Sequence, residues 1–161
     1  MLKQEILKIL ETDARATPDG IARMTGGDVT EINKIIAEAE ADGTIVRYKT
    51  VVNWDKVSNE RVEAIIEVRV SPQRDTGFDA IAERIYRFPE ARTVYLMSGT
   101  YDLAVLVTGK TMHQVANFVS QKLSQIDGVT GTTTHFMLKR YKEDGEILVG
   151  GEEIQRQQVV L

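Results

Sequence analysis

The chain has 161 residues, 42% of them hydrophobic, and a formal net charge of −4. This length and composition allow either one domain or a small and a medium domain with buried cores. The absence of cysteine excludes disulfides, thiolate metal sites and cysteine nucleophiles. The net charge disfavours a uniformly basic coat for nucleic acid, but it allows a local basic surface.

Membrane insertion and secretion are also disfavoured by the sequence. No uncharged apolar run approaches the ~20 residues that a membrane-spanning helix needs. Charged residues interrupt the apolar ones directly after Met1, which is not typical of a signal peptide. We therefore expect a cytoplasmic protein with no membrane partner.

Two short helical patterns open the chain. In the first, apolar residues recur at steps of three and four and form one face, namely Leu2, Ile6, Ile9 and Leu10. The second begins at Thr17, a typical N-cap, with Pro18 at its first helical position, and Gly26-Gly27 ends it. We expect its inward residues to be Ile21, Ala22 and Met24.

A third helix begins at Asp28, where Glu31 three residues later resembles a capping box, and it ends at Gly43. Its inward stripe is expected to be Ile32, Ile35, Ile36 and Ala39. Two short helices joined by a glycine-containing turn, with a helix before them, predict a helix-turn-helix. A small helical dimerisation head is the alternative that three helices leave open.

The next segment, TIVRYKTVVNW at 44–54, favours a strand because it is rich in β-branched and aromatic residues. A strand would place Arg47 and Lys49 on one side, as in the wing of a winged helix. A wing beside a helix-turn-helix is more specific for DNA binding than either feature alone. We therefore expect a winged helix-turn-helix over residues 1–53, with a linker strand to about residue 60.

From Arg61 the hydrophobic period changes to two, which is typical of a half-buried strand. The inward face is expected to be Val62, Ala64, Ile66, Val68 and Val70, and the outward face Arg61, Glu63, Glu67 and Arg69. The later patterns complete the order βαββαβ, with the last strand in VTGTTTHFMLKRY at 129–141. This order predicts an α+β fold over residues 61–141, ferredoxin-like, with two helices on one side of a four-stranded antiparallel sheet.

The other side of that sheet is left without helices. In the third strand, apolar residues fall on both faces, with Tyr101, Leu103, Val105 and Val107 on one and Ala104 and Leu106 on the other. An uncovered apolar face favours association, and the same face of a second subunit is the simplest cover. We therefore expect a homodimer. Residues 142–161 are expected to form a partly ordered tail.

The order and spacing of these segments resemble the leucine-responsive/asparagine-regulator (Lrp/AsnC) family of bacterial and archaeal transcription regulators, from Leu2 to about Tyr141. The resemblance is carried by Asp13-Ala14-Arg15, Gly43 before Ile45, the Gly99-x-Tyr101-Asp102 loop and Gly128-Val129. It implies a winged helix-turn-helix for double-stranded DNA and a ligand-sensing domain that forms dimers and then tetramers or octamers. It also implies a small effector, commonly an amino acid, held between dimers near that loop.

The residues of the loop suit a zwitterionic effector chemically. Ser98 and Thr100 offer hydroxyls, Gly99 lets backbone amides approach a carboxylate, and Asp102 can accept from an ammonium. The candidate effector-binding residues are Ser98, Gly99, Thr100, Tyr101, Asp102, Thr132 and Thr134. The simpler interpretation also stays open: Gly99 supplies a positive φ for a hairpin turn, and Asp102 accepts local hydrogen bonds.

The third helix departs from the family, which commonly carries basic residues in the C-terminal half of this helix. Here Lys34 is followed by Ile35, Ala37 and Glu38, and residues 1–53 hold seven Lys and Arg against nine Asp and Glu. The candidate DNA-binding residues are Thr30, Asn33 and Lys34 for base edges and Arg23, Arg47 and Lys49 for phosphates. A family member that senses an effector but no longer binds DNA is an alternative.

An enzyme is the third class to consider. Sirohaem decarboxylases resemble this family, but their His-Asn-Tyr run corresponds here to Arg92-Thr93-Val94-Tyr95. His113 and His135 have no partner at metal-ligand spacing, and no nucleophile-base pair, Walker loop or GxGxxG motif is present. We therefore predict a protein that is not an enzyme and uses neither a cofactor nor a metal.

Overall fold

The computed structural model describes residues 1–57, 61–71 and 77–149. The chain divides into two compact units, Met1–Val52 and Asn53–Leu161. The first unit contains three helices, and the second contains a four-stranded sheet with its helices. Over the described ranges, no helix is both long and apolar enough to cross a bilayer.

The first unit is built from three helices, as predicted: α1 at Leu2–Thr12, α2 at Pro18–Thr25 and α3 at Val29–Ala41, of which α2 and α3 have side-chain N-caps. The Thr17 hydroxyl accepts a hydrogen bond from the Gly20 amide at 3.2 Å, which satisfies a donor that the helix itself leaves unpaired. The Asp28 carboxylate does the same for Thr30 and Glu31 at 2.9 and 3.1 Å. Ile6, Leu10, Ile21 and Ile32 form the buried core between the helices.

Met24 is not an inward residue of α2, although the sequence predicted it to be. Its side chain is 67% exposed. In this short helix, Thr25 lies one turn after the buried Ile21 and donates its hydroxyl to the Ile21 carbonyl at 2.9 Å. Thr25 therefore takes the inward position, and Met24 is rotated towards the surface.

The predicted wing strand at 44–53 is also absent, because neither sheet of the described residues includes this segment. The segment is tied to α3 instead: the Ile45 amide donates to the Ala39 carbonyl at 2.8 Å, and the Tyr48 hydroxyl donates to the Glu40 carboxylate at 2.8 Å. Strand propensity becomes a strand only beside a partner that takes up its backbone hydrogen bonds. The expected linker strand is a short 3-10 helix at Trp54–Lys56, and residues 58–60 lie outside the described ranges.

The second unit has the predicted βαββαβ order and a ferredoxin-like sheet. The strands are antiparallel neighbours in the order β2-β3-β1-β4. Their bounds are β1 Val62–Val70, β2 Ala91–Leu96, β3 Leu103–Gly109 and β4 Val129–Phe136, with helices α4 Gly77–Tyr86 and α5 Met112–Gln121. The core lies between the sheet and these helices, and its fully buried members include Ile66, Val68, Ile85, Leu103, Val105, Val107 and Val115.

The opposite face of the sheet carries no helix of the described residues, and its side chains follow from the strand register. Ile65 lies opposite Leu106 and His135, and Tyr95 lies opposite Ala104. Ile65 is 43% exposed and Tyr95 is 62% exposed. We call these five residues, Ile65, Tyr95, Ala104, Leu106 and His135, the open face. Ala104 and Leu106 point there as predicted, whereas Tyr101 precedes β3 and belongs to a loop.

Glu63 is a second exception to the predicted pattern of β1. It was expected to point into solvent, yet it is only 5% exposed. The guanidinium of Arg61 pairs with its carboxylate at 2.5 Å, and that of Arg140 contacts its other oxygen. A carboxylate can be buried when opposite charges contact it directly. The second of these partners lies 77 positions further along the chain.

The chain after β4 also differs from prediction. β4 ends at Phe136 rather than near residue 141. A two-stranded hairpin follows, β5 at Lys142–Glu143 and β6 at Glu146–Ile147, inside the segment expected to be a partly ordered tail. Its turn, Asp144-Gly145, has positive φ angles of 45° and 88°, as a two-residue hairpin turn requires. The rest of that segment, 150–161, lies outside the described residues.

Gly128 provides a test of how closely the turn before β4 packs on α4. Its φ is +92°, and an added Cβ would lie 2.7 Å from Cδ1 of the buried Ile81. We expect Gly128→Ala to lower the free energy of unfolding by about 1–3 kcal/mol, because the backbone is strained and Ile81 has to move. Urea denaturation measures this change.

Gly131→Ala, three residues further along the chain and inside β4, is the control. An added Cβ at Gly131 would meet Arg69 Nε at 3.8 Å, an ordinary contact. Its unfolding free energy should therefore change by no more than about 0.5 kcal/mol. Equal losses in the two variants would contradict the close packing at Gly128.

Candidate functional site

The loop between β2 and β3, residues 97–102, closes on a turn of four residues, 98–101. The Met97 amide donates to the Asp102 carbonyl at 2.8 Å, which joins the two ends of the loop. Gly99 has a φ of +141°, a conformation that glycine adopts without strain. Ser98, Gly99 and Thr100 are exposed, and an added Cβ at Gly99 would meet no atom within 4 Å. Two hydroxyls and several backbone groups therefore face outward at this end of the sheet.

Asp102 is held through its backbone and its side chain. Its amide donates to the Val68 carbonyl at 3.0 Å, and its Oδ2 accepts from the Val70 amide at 2.8 Å. Both acceptor and donor are on β1, on either side of a bulge between Arg69 and Val70. The carboxylate that was predicted to bind an effector is therefore already engaged in the fold through one of its oxygens.

Thr132 and Thr134 lie on the far side of β1 from the loop. Thr132 is paired with Val68 and Thr134 with Ile66, so both threonines point to the helix-covered face, where they are half-buried. Neighbouring strands are ~4.8 Å apart, so the backbones of Asp102 and Thr132 lie roughly 10 Å apart across β1. The structure thus brings Thr132 to the same end of the sheet as the loop, while Thr134 lies further along β4.

Arg69 is a residue at this end that the sequence reasoning assigned only to a polar face. It is exposed, and it lies between the two β1 residues that contact Asp102. A guanidinium suits a carboxylate ligand because it offers two parallel donors. The bulge that brings Arg69 here has no signal in the β1 sequence, since period-two alternation continues through it.

In the first unit, the predicted base-reading residues share the exposed face of α3. Thr30, Asn33 and Lys34 are exposed and follow the helical spacing of three and four. The Asn33 side-chain Nδ2 donates to the Val29 carbonyl at 2.9 Å, and the Lys34 ammonium lies 3.9 Å from the Glu38 carboxylate. These polar groups face solvent with partners that ligands can displace.

The three residues predicted to contact phosphates do not lie on one helix face. Arg23 is exposed on α2, where its Nε donates to the Asp19 carbonyl at 3.3 Å. Arg47 and Lys49 are exposed in the segment after α3, but the strand that would have aligned them on one side is not formed. The structure therefore brings three of the six candidate DNA-binding residues onto one helix face and leaves the others on neighbouring segments.

Negative charge accumulates at the C-terminal end of α3. A hydrogen bond from Thr44 lowers the pKa of the Asp42 carboxyl, and Lys3 at 3.3 Å acts in the same direction. Burial raises the pKa of the Tyr48 hydroxyl, which donates to Glu40, so it remains protonated. Glu38, Glu40 and Asp42 oppose the approach of a phosphate backbone.

Comparison with known proteins identifies the second unit. Residues 63–147 match the family model described as the Lrp/AsnC ligand binding domain. The chain belongs to the Lrp/AsnC family. Its three N-terminal helices and its βαββαβ unit have the architecture of solved structures from this family.

Relatives of this Lrp/AsnC chain extend over most of its length. The HTH-type transcriptional regulator YugG of Bacillus subtilis is 49% identical over 153 residues, which cover 94% of this chain and 92% of YugG. LrpA of Pyrococcus abyssi is 31% identical over 137 residues, 85% of this chain and 94% of LrpA. The structure of the Neisseria meningitidis regulator NMB0573 in complex with L-Met has a TM-score of 0.70 at 20% identity, covering 88% of this chain and 91% of that one.

These relatives of the Lrp/AsnC chain are transcriptional regulators rather than enzymes, which confirms the prediction of a regulator that is not an enzyme. His135 does contact a carboxylate, that of Glu67 at 3.2 Å across the β1–β4 pair, a partner that spacing along the sequence does not reveal. One imidazole and one carboxylate are fewer ligands than a protein metal site needs. Across the described part of the chain, no three His, Asp or Glu side chains converge as a metal-binding group.

Proposed function

We propose that this chain regulates transcription by binding double-stranded DNA through α2 and α3 and by sensing a small effector, an amino acid, near the Ser98–Asp102 loop. The observation that carries the proposal is the occurrence, in one chain, of a capped helix-turn-helix and an Lrp/AsnC ligand-binding domain with an exposed hydroxyl-bearing loop. The family relative NMB0573, solved with L-Met, supports an amino acid as the effector class.

For DNA, α3 would enter the major groove as the second helix of a helix-turn-helix does. Thr30, Asn33 and Lys34 carry the hydroxyl, amide and ammonium groups that pair with base edges. Arg23, Arg47 and Lys49 would contact phosphates. The acidic end of α3 weakens the DNA affinity of each helix-turn-helix unit. Useful affinity therefore requires several linked units that bind DNA together.

For the effector, the loop supplies groups that complement a zwitterion. Ser98 and Thr100 would donate hydroxyl hydrogen bonds to a carboxylate, and Gly99 leaves room for it to reach backbone amides. The ring of the half-buried Tyr101 would pack against an apolar side chain. Thr132 and Thr134 are further polar groups of this candidate site, and Asp102 is treated separately below.

The assembly that we propose is a homodimer formed through the open face. Ile65, Leu106 and Tyr95 contribute apolar surface to this face, and burying that surface against a second copy is favourable. A two-fold axis through the face would cover both copies with the same residues. Tetramers or octamers would follow if loops of separate dimers meet around an effector.

The effector would then regulate DNA binding because its binding is thermodynamically linked to the assembly state of the protein. An effector that binds between dimers favours the larger assembly by its differential affinity, and the larger assembly changes the spacing of the DNA heads. The alternative function, an effector-binding protein without DNA binding, is favoured by one observation: Lys34, the basic residue of α3, pairs with Glu38.

The dimer predicts a specific effect of charge on the open face. Ile65→Lys should shift the dimer–monomer equilibrium towards monomer by at least about tenfold, because an ammonium would be buried without a partner. Sedimentation velocity at micromolar concentration measures the shift. Tyr86→Lys, on α4 and 58% exposed to solvent, is the control and should leave the dimer intact. A monomeric wild-type protein would refute the proposed assembly.

If α3 binds DNA, removing one carboxylate from this helix should raise the DNA affinity. Glu38→Gln should strengthen binding to duplexes selected by the wild-type protein by about three- to tenfold, since Lys34 is released to a phosphate. The slope of log affinity against log salt should steepen by up to about one. Glu11→Gln, an exposed position on α1, is the control. No retention of any duplex by wild type would favour the alternative without DNA binding.

The sensing loop predicts stabilisation by an amino acid. At least one standard L-amino acid should raise the melting temperature of the wild-type protein, because a ligand stabilises the state that it binds. Ser98→Ala should weaken the apparent affinity by about two- to tenfold through loss of a hydroxyl partner. Ser124→Ala, an exposed serine on a short 3-10 helix, should behave as wild type. A full response in Ser98→Ala would remove Ser98 from the site.

A further inference from the structure

The contact between Asp102 and Val70 extends the sheet beyond its last backbone pair. The β1–β3 ladder ends at Val68 opposite Leu103. Two residues further along β1, the Val70 amide donates at 2.8 Å to Oδ2 of Asp102. The side-chain carboxylate thus takes the place that a backbone carbonyl of β3 would otherwise have.

This contact lies in a partly buried setting where its loss is costly. Val70 is 9% exposed and belongs to the core beneath the sheet. An amide left unpaired at such a position would lose a hydrogen bond to a charged acceptor, which is stronger than one to a neutral acceptor. Asp102 also closes the loop, because its carbonyl accepts a hydrogen bond from the Met97 amide at 2.8 Å.

We propose that Asp102 is a positioning residue of the effector site, and that its carboxylate binds the β1 bulge rather than the ammonium of the effector. The inference rests on the proposed sensing function of the loop. Asp102 fixes Ser98, Gly99 and Thr100 relative to β1 through two hydrogen bonds to β1, one from its amide and one to its carboxylate, and its carbonyl closes the loop by accepting from Met97. The effector contacts the loop, and Asp102 keeps the loop in the shape that the effector recognises.

Asp102→Asn and Asp102→Ala separate the two roles. An asparagine keeps a carbonyl oxygen that can accept from Val70, but it removes the charge that an ammonium requires. An alanine removes both. Asp127→Asn, an exposed carboxylate paired with Arg84 at 3.8 Å, is the control for loss of one negative charge from this unit.

Two measurements are made on the full-length protein. Amide hydrogen exchange of Val70, followed by NMR without any ligand, reports the hydrogen bond itself. Melting-temperature titrations with each standard L-amino acid report the effector response. We expect Asp102→Ala to lose at least about tenfold in Val70 protection and in apparent effector affinity. We expect Asp102→Asn to stay within about threefold of wild type in both.

The positioning role requires that the effector response follow Val70 protection across all variants. It would be overturned if Asp102→Asn kept the protection and lost the response, because the charge would then be needed by the effector itself. It would equally be overturned if Asp102→Ala kept either property. If no amino acid stabilises wild type, the proposed effector class is wrong. Val70 exchange then decides the positioning contact alone, and unchanged protection in Asp102→Ala would refute it.

Discussion

Strand β1 hydrogen-bonds to β3 along one edge and to β4 along the other, and this double pairing determines where the residues of the second unit lie. A strand in this position cannot shift by one residue without turning Ile66 and Val68 out of the core. A carboxylate stabilises each end of β1. Asp102 accepts from Val70 at one end, and Glu63 receives two guanidinium groups at the other.

The Glu63 end joins segments that are far apart in the sequence. Arg61 pairs with Glu63 and lies 5.4 Å over the Trp54 ring, while Arg140 pairs with both Glu63 and Glu143 of the terminal hairpin. Removing Glu63 would leave two cations facing each other in a partly buried space, which costs more than the loss of an exposed ion pair. The start of β1 is thus stabilised by two ion pairs of Glu63.

Local signals predicted much of this fold. The caps at Thr17 and Asp28 place the helix starts correctly, and period-two alternation identified β1, because each depends on residues that are adjacent in the chain. The prediction of a wing strand was wrong, because β propensity at 44–53 does not show whether a partner strand is available. Buried Glu63 and the Asp102–Val70 contact were not predictable, because both need partners that only the folded topology brings near. The terminal hairpin could have been found, since Asp-Gly at 144–145 is a strong turn signal.

The closed loop also bears on how this family diversifies. Backbone hydrogen bonds and the Asp102 carboxylate hold the ends of the loop, whereas the side chains of Ser98 and Thr100 point into solvent and support no part of the core. Exchanging these two side chains alters surface chemistry with little folding penalty. Under the proposed sensing function, effector selectivity could therefore change through these two positions while the sheet beneath the loop stays unchanged.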